Sequence, residues 1–139
     1  MATRGRLFHR NCFGCASIHT EDCGDHYTVQ WCGKDLEVSK MMWDNWDRER
    51  GEDVMNAFRE ILTAAGIQWK NEDAKFDAYP IYRTHFTIDG KHFSVIIGFG
   101  SYGFEDYKLE MWAKNDPEPI GHLTITEAWE LIKEKANIK

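Results

Sequence analysis

The chain of 139 residues contains four cysteines, Cys12, Cys15, Cys23 and Cys32, all within its first quarter. Cys12-Phe13-Gly14-Cys15 is a C-x2-C knuckle. Zinc takes thiolates about 2.3 Å away in a tetrahedron, and two cysteines at this spacing fit one turn around a metal. Cys32-Gly33-Lys34 is similar to the second half of a zinc knuckle, with the glycine permitting the tight turn. A regular zinc ribbon would carry a second C-x2-C pair, whereas here Cys23 and Cys32 stand far apart. His9, His19 and His26 are near enough in sequence to replace one thiolate. The expectation is one structural zinc held by Cys12, Cys15, Cys23 and Cys32, or by three of them and a histidine. Four protein ligands leave no position open for water, so such an ion folds the segment rather than catalysing a reaction. Two disulfides, a thioredoxin-type redox pair and unrelated free thiols are the competing readings.

Other chemistry is sparse. His85 and His92 fall on one face of an expected hairpin with Asp89 nearby, which is the raw material of an acid–base or second metal site. Such residues are more often the polar face of a half-buried sheet. His122 stands alone and reads as a surface or capping residue. Gly98-Phe99-Gly100-Ser101-Tyr102-Gly103 lacks the lysine and the strand-to-helix setting of a phosphate loop, and reads as a turn or bulge. No catalytic constellation is expected. Trp43 and Trp46, set among Asp44 and Asp47, have the composition of an aromatic contact surface for a partner, with burial against the core as the competing reading.

The elements that must position these groups are legible in the hydrophobic periodicity. Residues 27–31 alternate as a short strand. A helix over about 52–65 brings Val54, Met55, Phe58, Ile61, Leu62 and Ala65 to one face, and Gly66 is placed to end it. Residues 79–88 and 91–99 flank Asp89-Gly90, a favoured two-residue hairpin turn. That turn sets Phe86 opposite Phe93, Thr84 opposite Val95 and Tyr82 opposite Ile97. It leaves Arg83, His85, Thr87, His92 and Ser94 on a face expected to be wet or covered by something polar. A third strand is expected over 107–113, and a closing helix over 125–136. Thr124 and Glu127 have the capping-box spacing of that helix. The fold class is therefore α+β: an antiparallel sheet with two main helices packed on one face. A zinc-stapled subregion over 1–36 precedes an α+β core over 37–139, the whole forming a single domain.

The net charge is −6, while the first ten residues carry Arg4, Arg6 and Arg10 and no acid, so the remainder is more acidic than the total suggests. Such a body is repelled by phosphate backbones and attracted to basic surfaces. No apolar run approaches the roughly 20 residues that span a bilayer, and no secretory apolar stretch follows Met1. A reducing, cytoplasmic setting without membrane contact is the expectation.

The segment from Gly98 to Ile132 is similar to the C-terminal part of phage-type proteins through Gly100-Ser101-Tyr102-Gly103, Leu109-Glu110-Met111-Trp112, Pro119-Ile120-Gly121-His122-Leu123-Thr124 and Glu127-Ala128-Trp129. Within that group the chain resembles metal-containing anti-CRISPR proteins. The resemblance implies a zinc-stabilised inhibitor that binds a host effector nuclease and blocks nucleic-acid loading. It carries no binding residue over to this chain. The alternative is a nucleic-acid-binding zinc module that touches phosphates through Arg4, Arg6, His9 and Arg10.

Overall fold

The computed structural model describes residues 3–6, 19–31, 34–39, 41, 44–76, 79–98 and 100–138. Strands β1 (Thr3–Arg6), β2 (His19–Asp22), β3 (His26–Trp31) and β4 (Lys34–Ser39) form an antiparallel sheet in that order. A second antiparallel sheet follows, built from β5 (Trp69–Asn71), β6 (Ala74–Phe76), β7 (Tyr79–Ile88), β8 (Lys91–Gly98), β9 (Leu109–Ala113) and β10 (Ile120–Leu123). Its order is β10-β9-β8-β7-β5, with β6 also paired to β7. Helices α1 (Arg48–Ala64) and α2 (Ile125–Ala136) complete an α+β fold.

The β7–β8 hairpin carries the register that the sequence dictates. Asp89 (φ 49°) and Gly90 (φ 82°) both take the left-handed conformation of a two-residue turn, and Phe86 pairs with Phe93, Thr84 with Val95 and Tyr82 with Ile97. Phe86 stacks on Phe93 at 5.2 Å and meets Phe58 of α1 at 6.1 Å. Aromatic pairs of this kind contribute about 0.5–1.5 kcal/mol beyond the area they bury. Of the two expectations for the opposite face, wet or covered, its middle is covered, because Arg83, Ser94, Ile96 and Glu110 are buried as well. The middle of the sheet is thus dry on both sides, and Glu110 receives the Tyr102 backbone N–H at 2.8 Å.

Helix α1 begins at Arg48 rather than near residue 52 because Asp47 caps it, its carboxylate accepting the Arg50 N–H at 3.0 Å. The buried face is Gly51, Met55, Phe58, Arg59 and Leu62, so the stripe includes a glycine and an arginine that hydrophobic spacing does not select. Ala65 lies outside it and is exposed. Arg59 donates from Nε to Thr84 Oγ1 at 2.7 Å, and from Nη2 to Asp73 Oδ1 at 2.8 Å and to the Arg83 carbonyl at 3.1 Å. The Thr84 hydroxyl in turn donates a hydrogen bond to Met55 Sδ at 3.1 Å.

Helix α2 packs beside α1 and over β9 and β10, burying Ala128 and Ile132. Its capping box is complete: Thr124 Oγ1 accepts the Glu127 N–H, and Glu127 accepts the Thr124 N–H at 3.0 Å. Those bonds from Thr124 hold the Glu127 carboxyl below the usual range. Among the described residues no helix is long and apolar enough to cross a membrane.

Gly51 is present because Trp46 lies against it. A Cβ there would stand 2.3 Å from Trp46 Cη2 and 2.8 Å from Cζ2. Gly→Ala inside a helix ordinarily adds about 1 kcal/mol of stability, whereas overpacking costs roughly 1–3 kcal/mol. Gly51→Ala is therefore expected to lower the urea midpoint at unchanged m-value. In a Trp46→Leu background the same change should become neutral or stabilising. A gain of stability from Gly51→Ala in the parent chain would show that the ring does not hold this position.

Candidate functional site

Trp46 is 6% exposed and belongs to the core. Its indole N–H donates to the Phe104 carbonyl at 2.8 Å, and its ring stacks on Tyr107 at 5.5 Å with an interplanar angle of 8°. Tyr107 Oη accepts the Asp47 backbone N–H at 2.9 Å, and the Arg50 guanidinium lies 4.1 Å above the Tyr107 ring. These contacts pin the start of α1 against the 3₁₀ turn Phe104–Asp106. Two acidic stretches, distant in sequence, become one surface. Asp44, Asp47, Glu49, Glu52 and Asp53 come from one side, Glu105 and Asp106 from the other, and all are exposed. Arg48, Arg50 and Lys108 only partly offset them.

The phenol of Tyr82 registers that field. It donates to the Arg48 carbonyl at 3.3 Å. Burial, then the negative charges of Glu52 and Asp73, push its pKa above the ordinary tyrosine value, against a smaller opposing effect from Arg48. Within the same region Glu105, Asp106 and His122 bring ligand-type atoms within 4.8 Å of one another, a group that could hold a metal ion. Sequence spacing gives no sign of it, since His122 arrives from β10.

The residues selected from sequence are distributed unevenly. Asp44 and Asp47 lie on this face, with Asp47 committed to capping α1. The Trp46 side chain is spent on the core and is not an exposed anchor, which agrees with the competing reading of burial against the core. Trp43 lies outside the described residues, as do Cys12, Cys15, Cys32, His9 and Arg10. Cys23 is exposed, in the turn between β2 and β3, and its backbone N–H donates to the His26 carbonyl at 3.0 Å. His26 is engaged elsewhere, with Nδ1 2.7 Å from Asp25 and Nε2 3.0 Å from Glu37.

His85 and His92 do share a face, but each meets a different group. His85 Nδ1 is 2.6 Å from Glu72 Oε1, and His92 Nδ1 is 2.8 Å from Thr87 Oγ1. Arg4 and Arg6 fall within β1. Compared with known proteins, the chain matches no family model, no curated protein and no solved structure.

Removing a negative charge favours the phenolate, so Glu52→Gln is expected to lower the Tyr82 pKa. It should remain above the free-tyrosine value of about 10, because burial is the larger cause. An NMR titration of the Tyr82 ring carbons reads this directly. An unchanged pKa in Glu52→Gln would remove Glu52 from the field at this face.

Proposed function

We propose that the protein is a binding inhibitor whose acidic face engages a basic, nucleic-acid-handling surface of a host protein. The observation that carries this reading is the joining of residues 44–53 to residues 104–107 through Trp46 and Tyr107. A contiguous, rigidly backed anionic surface is the complement of a cationic channel, whereas scattered acids serve solubility alone. The resemblance to anti-CRISPR proteins supplies the partner class, a CRISPR effector nuclease, and the mechanism is occlusion of the channel that loads nucleic acid. A structural zinc remains part of the reading, held by Cys12, Cys15, Cys23 and Cys32 or by three of them and a histidine, as a staple for the N-terminal region rather than a reactive centre.

Charge pairing of this kind acts mainly on association rate and is screened by salt. The test pairs the parent chain with a variant carrying Glu49→Gln, Glu52→Gln, Glu105→Gln and Asp106→Asn. All four are exposed side chains, and circular dichroism checks the fold. The parent is expected to bind a purified effector nuclease and slow its loading onto DNA. The neutralised variant should associate about tenfold or more slowly, with a flatter salt dependence. Equal association of both proteins would overturn the assignment of this face. Binding of DNA by the parent alone, falling with salt and lost on removing residues 1–10, would favour the basic arm instead. Elemental mass spectrometry of protein purified without chelator should find one zinc per chain, and a metal-free folded protein would dismiss the staple.

A further inference from the structure

We draw no further inference here: the strongest candidate, the cluster of Glu105, Asp106 and His122 where β10 meets the 3₁₀ turn, is an exposed and mainly acidic group that belongs to the face already described, and no second observation at it points to a ligand.

Discussion

A buried guanidinium sets the terms for the rest of this structure. Arg59 is 6% exposed on the inner face of α1. A cation so placed costs several kcal/mol unless its N–H groups are matched. It finds Thr84, Asp73 and the Arg83 carbonyl, with Asn56 at 3.3 Å on its own helix, and its planar group lies 5.1 Å from the Trp69 ring centroid. Beyond its own helix, the partners come from two other pieces of the fold, Thr84 and Arg83 from β7 and Asp73 from the β5–β6 connection. Asp73 in particular sits between β5 and β6, and its Oδ1 also takes the Arg83 N–H at 2.9 Å. The side chain thereby substitutes for a backbone partner where the edge of the sheet is interrupted. Helix, central strand and broken edge are tied at one point, and removing either Arg59 or Asp73 leaves the other charge without its match.

From that tie the position of α1 follows, and with it the acidic face. Holding the helix along β7 delivers its capped end to the 3₁₀ turn, where Trp46 can reach Phe104 and Tyr107. The face joins two acidic segments by aromatic packing beneath them.

Local signals in the sequence carried much of the fold. The β7–β8 register was legible because Asp89-Gly90 and the alternation of Tyr82, Thr84 and Phe86 each demand the same pairing. The α2 cap was legible because Thr124 and Glu127 are close neighbours. Arg59 was not, since nothing local distinguishes a buried arginine from the solvated ones beside it. Its partners at Asp73 and Thr84 are brought near only by the fold. The strands β5 and β6 are too short for periodicity to register. The acids of the candidate face were visible as composition, but their union required knowing that Trp46 meets Phe104. Cysteine spacing suggested a metal, and of the four cysteines only Cys23 lies among the described residues.

The contact between Trp46 and Phe104 closes a span of 58 positions. Loop closure over such a distance loses chain entropy before any contact repays it. The β7–β8 hairpin, with its two-residue turn, forms within microseconds and needs no such closure. Of the two, the long closure is the costlier in chain entropy. A chain in which that closure has not formed therefore carries its acids as two separate segments rather than as one surface. Proteolytic fragments ending before residue 104 lack Glu105, Asp106 and the carbonyl that seats the indole.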